Sequence, residues 1–146
     1  MISRRTGAEI GLDAQYIKDL SFENPRAPEI YATRDLKPTL DVSLDIGATK
    51  LQREVFEVEI VLGVSAVQDG SPLFILEMTY AGIFSIGKVS EELVQENLFI
   101  ECPEMLYPFA RRILWDTVRD ANFPPPMLEA VDFEALYNSK KDTLRR

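Results

Sequence analysis

The sequence contains no histidine and only one cysteine in 146 residues. Without histidine the protein cannot use imidazole as a catalytic base or as a metal ligand, and one cysteine cannot form an internal disulfide. Cys102 also has no histidine to activate it as a nucleophile, so we interpret it as a buried or helix-capping residue. These absences exclude the most common catalytic and zinc-binding chemistries, and we expect neither a cofactor nor an enzymatic activity.

Long apolar segments and an excess of positive charge are missing as well. No segment approaches the roughly 20 apolar residues that a membrane-spanning helix needs. The 24 acidic residues outnumber the 16 basic ones and give a net charge of −8, which disfavours binding to nucleic acids or anionic membranes and favours basic protein partners. Because 46% of the residues are hydrophobic, the chain can still build one core. We expect a single cytoplasmic domain.

The first half of the sequence has the alternating pattern of β-strands. The predicted strands are residues 16–22, 40–46, 55–67 and 73–83. Residues 24–38 contain several prolines and predict a long connection, residues 47–50 predict a turn, and Asp69-Gly70 is typical of a hairpin. In the first predicted strand, the alternation places on one face Tyr16, Lys18, Leu20 and Phe22.

The second half of the sequence predicts helices. Ser90 suits the N-cap of a short helix, and Asp132 suits the N-cap of a last helix. Between them, Pro103 can open a helix that continues to residue 120, with a kink expected at Pro108. Apolar residues cover about 240° of this middle helix, whereas packing against one sheet needs only about 100°. The surplus predicts a subunit interface, a binding groove, or both.

Strands followed by helices predict an α+β fold, in which a four-stranded antiparallel sheet carries helices packed on one side. We expect residues 1–13 to form a flexible N-terminal arm, residues 14–138 a single domain, and residues 139–146 a basic C-terminal tail. The arm contains two arginines after Ser3, but it lacks the apolar run of an export signal.

Two other features match functional sites less well. Residues 82–88 have the spacing of a phosphate-binding loop, but Val89 replaces the Ser or Thr that holds magnesium in such loops. We interpret this segment as the exit from the last strand, with Phe84 and Ile86 packed beneath the helices. The acidic residues of the predicted strands alternate with apolar ones, as on the solvent-exposed face of a half-buried sheet, and their spacing does not indicate a metal site.

Four motifs together resemble the SecB family of bacterial protein-export chaperones. The motifs are YIKDLSFENP at residues 16–25 followed by Ala27-Pro28, AGIFSI at 81–86, CPEMLYPFAR at 102–111, and VDFEALY at 131–137. They occur in this order across residues 14–138, which makes the resemblance far more specific than the phosphate-loop spacing. The chain departs from the family at Leu36, where Trp is common, and in its short basic tail, where the family has polar and often acidic residues.

The resemblance implies an ATP-independent chaperone that holds unfolded preproteins in the cytoplasm and delivers them to the SecA translocase motor. It also implies a SecB-like fold assembled as a dimer of dimers. The expected partners are therefore unfolded preproteins, the SecA motor and further copies of the chain. We expect no binding to nucleic acid and no direct insertion into membranes.

Three groups of site residues are predicted. We expect clients in apolar grooves lined by Ile30, Tyr31, Leu36, Leu40, Val42 and Leu44, with Tyr107, Leu114 and Trp115 nearby. We expect subunit contacts through the middle helix and through the last strand, at Leu76, Met78 and Tyr80. In the family the motor binds the acidic face of the sheet, and the matching positions are Asp19, Glu23, Ile75 and Glu77. Both Asp19 and Glu77 alternate with apolar neighbours, so they should face solvent.

Two alternatives from other functional classes remain open. A related chaperone that serves a toxin–antitoxin pair would bind one dedicated antitoxin tail more tightly than it binds generic clients. A small enzyme or ligand-binding domain would have a closed pocket and would bind a small molecule saturably.

Overall fold

Four strands form one antiparallel sheet with the order β1-β4-β3-β2. The computed structural model describes residues 1–33 and 35–145. The strands are β1 (Ile10–Glu23), β2 (Thr39–Gln52), β3 (Val55–Gln68) and β4 (Ser71–Ile86). The helical elements are a 3-10 turn (Glu29–Ala32), α1 (Glu91–Glu96), a π-helical segment (Asn97–Glu101), α2 (Cys102–Asp120) and α3 (Phe133–Arg145). The predicted α+β architecture is confirmed.

Helix α2 packs on β3 and β4 from one side of the sheet, which we call the inner face; the opposite side is the outer face. The buried inner residues of these two strands include Val58, Ile60, Leu62, Val64, Leu76, Met78 and Phe84. From the helix, Leu106, Ala110 and Leu114 join the same core. Removing these apolar side chains from water is the main favourable term in folding. The strand alternation therefore decides which face of the sheet carries the helices.

Strand β2 extends beyond its predicted end. The turn expected at residues 47–50 is wrong, because the strand continues past this segment and the chain reverses at Arg53 and Glu54. Glu54 takes a positive φ of 62° there, a conformation that glycine usually supplies, so the local sequence lacks a turn signal. The hairpin predicted at Asp69-Gly70 is confirmed, with both residues at positive φ.

Strand β4 also runs past its predicted end at residue 83 and continues to Ile86. A Cβ atom on Gly82 would lie 2.9 Å from Leu106 of α2 and 2.8 Å from the ring of Phe84. The glycine therefore lets helix and sheet approach closely and does not end the strand. Phe84 and Ile86 are buried as predicted. The interpretation of residues 82–88 as an exit from the sheet is wrong for residues 82–86, because these residues still belong to β4.

Strand β1 contains a β-bulge that the alternating pattern conceals. The two neighbours of Lys18 pair with consecutive residues of β4, so Lys18 is an extra residue in the strand. As a result, Tyr16 and Lys18 lie on the outer face, where they contact β3, while Leu20 and Phe22 lie on the inner face. The interpretation that placed these four residues on one face is wrong, because one inserted residue inverts the alternation.

The N-terminal residues pack against the helices, so the flexible arm expected over residues 1–13 is wrong. The last four of these residues already belong to β1. Ser3 is buried and its hydroxyl donates a hydrogen bond to the Glu101 carboxylate at 2.8 Å. The Thr6 hydroxyl donates to Asn97 Oδ1 at 3.0 Å. These contacts fix the start of the chain to the π-helical segment.

Both predicted helix caps are confirmed. The Ser90 side chain accepts a hydrogen bond from a backbone N–H of α1 at 3.4 Å, and Asp132 accepts one from a backbone N–H of α3 at 3.0 Å. Helix α3 continues to Arg145, so most of the expected C-terminal tail over residues 139–146 is helical. Its last residue, Arg146, lies outside the described residues. No helix within residues 1–33 and 35–145 is long and apolar enough to cross a membrane.

Candidate functional site

The outer face brings together the four residues predicted for motor binding. Glu23 of β1 pairs directly with Ile75 of β4, and Ser21 pairs with Glu77. Asp19 occupies the next outward position along β1. Directly paired residues of an antiparallel ladder share a face, so Asp19, Glu23, Ile75 and Glu77 form one surface, which we call the acidic patch. Its three carboxylates are exposed, while Ile75 is half-buried.

A second cluster on the outer face, the Lys18 cluster, consists of Tyr16, Lys18, Glu57 and Glu59. Lys18 Nζ lies 2.8 Å from Glu57 Oε1 and also pairs with Glu59, while the Tyr16 hydroxyl donates to Glu57 Oε2. The hydrogen bonds from Lys18 and Tyr16 lower the pKa of Glu57, and those to the two glutamates raise the pKa of Lys18. Burial and the bond to Glu57 raise the pKa of Tyr16 to about 12. The cluster is therefore an ion-paired part of the outer face at neutral pH.

The inner face of the edge strand β2 exposes apolar side chains. Leu40, Val42, Leu44 and Ile46 all pair with buried residues of β3, so they point to the inner face. Leu40 and Val42 are 40% and 45% exposed, Leu44 is half-buried, and Ile46 is buried. We call Leu40, Val42 and Leu44 the β2 row. The two residues nearest the start of β2, Leu40 and Val42, are thus the most open to solvent.

The connection between β1 and β2 places Tyr31 beside the end of α2. The Tyr31 ring stacks on Phe123 with the centroids 5.7 Å apart, and its hydroxyl donates to the Ala121 carbonyl oxygen at 2.5 Å. The ring remains exposed, and Leu36 is half-buried. Ile30 is buried and belongs to the core. Of the three predicted client contacts in this connection, Ile30 is therefore not available to a ligand.

Helix α2 offers one of its three predicted client-binding residues to solvent. Trp115 lines a cavity of about 430 Å³ between α2 and the proline-rich segment that precedes α3. The other walls of this α2 cavity are Pro108, Arg111, Arg112, Pro126, Met127 and Leu128. Tyr107 and Leu114 are buried, and the Tyr107 ring packs edge-on against Phe133. These two residues hold α2 in the core, which corrects the prediction that they lie near an open groove.

A groove that the sequence interpretation missed lies between α1, the π-helical segment, β2 and α3, with apolar and charged side chains in its walls. It consists of two adjoining cavities of about 240 and 530 Å³, both lined by Gln95 and Phe99. The Phe99 ring stacks on Tyr137 with the centroids 6.0 Å apart. We call this feature the Phe99 groove. Phe133, Leu136 and Tyr137 have the spacing of an apolar stripe along a helix. This spacing is the sequence signal that could have predicted a groove beside α3.

The residues predicted for subunit contacts belong to the core of a single subunit. Leu76 and Met78 are 0% and 1% exposed beneath α2, and Tyr80 is also buried. A side chain buried within its own subunit cannot contact another copy while the subunit stays folded. The premise that the helices leave this strand face uncovered is therefore wrong. Exposed apolar surface lies instead on the edge strand β1, where Ile17 and Leu20 are 48% and 40% exposed.

The structure also places the residues that the sequence raised as candidate catalytic or ligand-binding groups. Cys102 is buried, and this burial raises the pKa of its thiol, which keeps it from acting as a thiolate nucleophile. Residues 82–86 lie in β4 and cannot wrap a phosphate as a loop would. Within the described part of the chain, no group of three or more metal-ligating side chains could hold a metal ion. What the structure does present is exposed apolar and acidic surface on opposite faces of the sheet.

Comparison with known sequences agrees with the fold. Residues 3–143 match the family model described as SecB, preprotein translocase subunit SecB. A protein-export protein SecB of Zymomonas mobilis is 47% identical over 129 residues, which cover 88% of this chain and 78% of the relative. A protein of the same name from Rickettsia peacockii is 42% identical over 139 residues, which cover 94% of this chain and 91% of the relative.

A solved structure has the same arrangement of strands and helices. The Mycobacterium tuberculosis Rv1957 SecB-like chaperone, in complex with a ChAD peptide from the Rv1956 HigA1 antitoxin, matches with a TM-score of 0.69. The match covers 85% of this chain and 90% of that chain at 18% sequence identity. At this identity the likeness concerns the fold alone.

Proposed function

This chain belongs to the SecB family of preprotein translocase subunits, and on that basis we propose that it is an ATP-independent chaperone that holds unfolded preproteins for export. Family membership also favours a chaperone over an enzyme. The proposed place of action is the cytoplasm, because a client must be held before it crosses the membrane. The observation that carries the proposal is the apolar surface that the folded subunit leaves open on its inner side.

The proposed client surface is the β2 row together with the Phe99 groove and the α2 cavity. Leu40 and Val42 are exposed at the edge of the sheet, where an extended client can also pair with the free backbone groups of β2. Trp115 and Tyr31 add exposed aromatic surface. Because apolar contacts of this kind demand no particular side chain, they support binding of many unrelated sequences.

The proposed docking surface for the SecA motor is the acidic patch. The patch lies on the outer face, opposite the β2 row, so a client and the motor could be bound together. Its exposed carboxylates and the net charge of −8 would attract a basic partner. Exposed charges of this kind act mainly on the association rate and its salt dependence.

The proposed assembly is a homotetramer, a dimer of dimers, with contacts through β1 and α2. Ile17 and Leu20 expose apolar surface on an edge strand, and Phe109 does so on α2. Unprotected edges with apolar side chains favour pairing with another copy, and closed symmetry limits the size of the assembly. Light scattering at micromolar concentration should report four subunits, and a monomer would contradict the proposal.

The experiment that tests the holding function is a mass measurement of the protein mixed with an unfolded preprotein. We expect a complex with the unfolded preprotein and none with the same preprotein after it has folded. The proposal is wrong if no complex forms, or if the folded form binds equally well. The measurement also reports the number of chaperone subunits in the complex.

The toxin–antitoxin alternative has less support. Relatives that are 42–47% identical to this chain are named protein-export proteins, whereas the likeness to the antitoxin-bound chaperone is a likeness of fold at 18% identity. An antitoxin peptide bound far more tightly than unfolded preproteins would favour that alternative. A small-ligand-binding domain is also less supported, since the cavities described above open to solvent.

A further inference from the structure

The four strands place one basic residue, Lys18, on the outer face of the sheet. The acidic residues on the same face are Asp13, Asp19, Glu23, Asp41, Asp45, Glu57, Glu59 and Glu77. Lys50, the other lysine of the strands, pairs with Phe56 and lies on the inner face. Lys140 of α3 reaches only the far edge of the sheet, at Asp45. Lys18 is therefore the single positive charge near the acidic patch within the described strands.

The β-bulge adds Lys18 without removing an outward-facing acidic residue. In a regular strand successive residues face opposite sides of the sheet. If Lys18 faced outward in such a strand, its neighbour Asp19 would face inward. Because Lys18 is the extra residue of the bulge, both Tyr16 before it and Asp19 after it keep their outward positions. The acidic patch thus keeps Asp19, while the Lys18 side chain extends across β4 to β3.

Lys18 reaches two glutamates: both carboxylate oxygens of Glu57 are engaged, and Glu59 is engaged through one of its oxygens. Lys18 Nζ lies 2.8 Å from Glu57 Oε1 and pairs with Glu59 as well, and Tyr16 donates to the second oxygen of Glu57. The side chains of Glu57 and Glu59 are 13% and 26% exposed. Little of their negative charge is therefore offered to a partner arriving from solution.

The acidic patch differs from the Lys18 cluster in this respect. The carboxylates of Asp19, Glu23 and Glu77 make no hydrogen bond or ion pair with any of the residues that the structure describes. All three residues are exposed. The outer face therefore has an ion-paired half around Lys18 and an unpaired half at the acidic patch.

We propose that Lys18 is a specificity-determining residue of the outer face, which directs a basic partner to the acidic patch by occupying Glu57 and Glu59. This inference rests on the proposed function, in which the SecA motor docks on the patch. Lys18 repels a basic segment locally, and it neutralises two carboxylates that would otherwise attract that segment within a Debye length of about 8 Å at physiological salt. The result is a single docking position on a face that is acidic throughout.

The test compares three variants of the full-length protein. Lys18→Met removes the charge and keeps a long side chain, and Lys18→Arg keeps the charge. Lys88→Met is the matched control, because it changes the net charge equally at an exposed residue just after β4. Circular dichroism and light scattering first establish that all variants keep the fold and the assembly of the wild type.

Binding is then measured for two probes, the SecA motor and a hexalysine peptide, at low and at high salt. For Lys18→Met we expect about 3- to 10-fold faster association with both probes at low salt, and no gain at high salt. Lys18→Arg should behave as the wild type, and Lys88→Met should change either rate less than about twofold. Replacing Asp19 and Glu77 should cost less motor affinity in the Lys18→Met background, since the freed glutamates offer a second position.

A titration of Glu57 by nuclear magnetic resonance gives a readout that does not depend on any partner. Its pKa should rise in Lys18→Met, because the largest cause of its lowering is removed, and it should stay low in Lys18→Arg. The proposal is wrong if Lys18→Met and Lys88→Met have equal effects, or if Lys18→Met weakens binding. If hexalysine follows the expected pattern but the wild type does not bind the motor, the motor assignment fails and the role of Lys18 stands.

Discussion

The two faces of the sheet are built from the same four strands and differ in almost every physical respect. The inner face is apolar, buried under α2 at its centre and exposed along the edges, at Ile17 and Leu20 on β1 and at Leu40 and Val42 on β2. The outer face is acidic, and most of its carboxylates reach solvent. Because strand side chains alternate between faces, each strand contributes to both surfaces. One thin layer can therefore present an apolar surface and an acidic surface that do not overlap.

The sharpest contrast lies between two consecutive residues of β4. Leu76 is fully buried on the inner face, and Glu77 is exposed on the outer face. We expect Leu76→Asp to destabilise the subunit by roughly 3 kcal/mol or more, because it buries an unpaired carboxylate. Glu77→Lys reverses a charge at the next position and should change stability by about 0.5 kcal/mol or less. Urea unfolding measures both, and comparable losses for the two variants would refute the assignment of the faces.

A second contrast concerns two strand glycines. A side chain on Gly82 would meet Leu106 and Phe84 at under 3 Å, whereas one on Gly47 would find only Glu59, at 3.9 Å. We expect Gly82→Val to cost about 1–3 kcal/mol through overpacking between sheet and helix. Gly47→Val, the same change on an open part of the sheet, should leave the thermal midpoint nearly unchanged. Equal shifts of the midpoint would mean that α2 does not pack closely on β4.

The acidic patch should respond to substitution without any effect on the inner face. Asp19→Ala combined with Glu77→Lys should weaken binding of the SecA motor by on the order of tenfold, about 1.4 kcal/mol, while client holding and assembly stay as in the wild type. Titration calorimetry at low and high salt measures the motor affinity. The patch is not the docking surface if the double variant binds normally, or if the wild-type affinity does not depend on salt.

The smallest expected effect compares neighbouring residues of β2. Val42→Asp places a charge in the exposed β2 row, and Ser43→Asp places the same charge on the outer face. We expect Val42→Asp to weaken client binding about fivefold, because roughly 1 kcal/mol of apolar contact is lost. Ser43→Asp should have no effect on client binding. Suppression of client aggregation, followed by light scattering, separates the two, and identical curves would exclude the β2 row from the client surface.

The sequence predicted those parts of the fold that depend on local pattern. The alternation in β3, the hairpin at Asp69-Gly70 and the cap at Asp132 all follow from short-range chemistry, and each is confirmed. The predictions failed where distant contacts decide. Gly82 lies within β4 and does not mark its end, because the missing side chain lets α2 pack closely on the strand. Glu54 makes a turn with a positive φ although it is not glycine. Neither fact is visible in the neighbouring residues.

The candidate site divides in the same way. The positions of the acidic patch could be predicted to share a face, and the ladder between β1 and β4 places them together. The burial of Ile30, Tyr107 and Leu114 could not be predicted, since apolar residues of a core and of a groove have the same composition. The bulge at Lys18 also escaped prediction, because a single inserted residue leaves no mark on a strand pattern.

In the proposed function, clients and the export motor occupy opposite faces of one sheet. The most direct test of this arrangement is titration of the SecA motor into the wild-type protein, first free and then saturated with an unfolded preprotein, with the mass of the final complex determined. We predict a ternary complex and motor affinities that agree within about twofold, as expected for separate sites. Displacement of the client by the motor, or loss of motor binding to the loaded chaperone, would contradict the account.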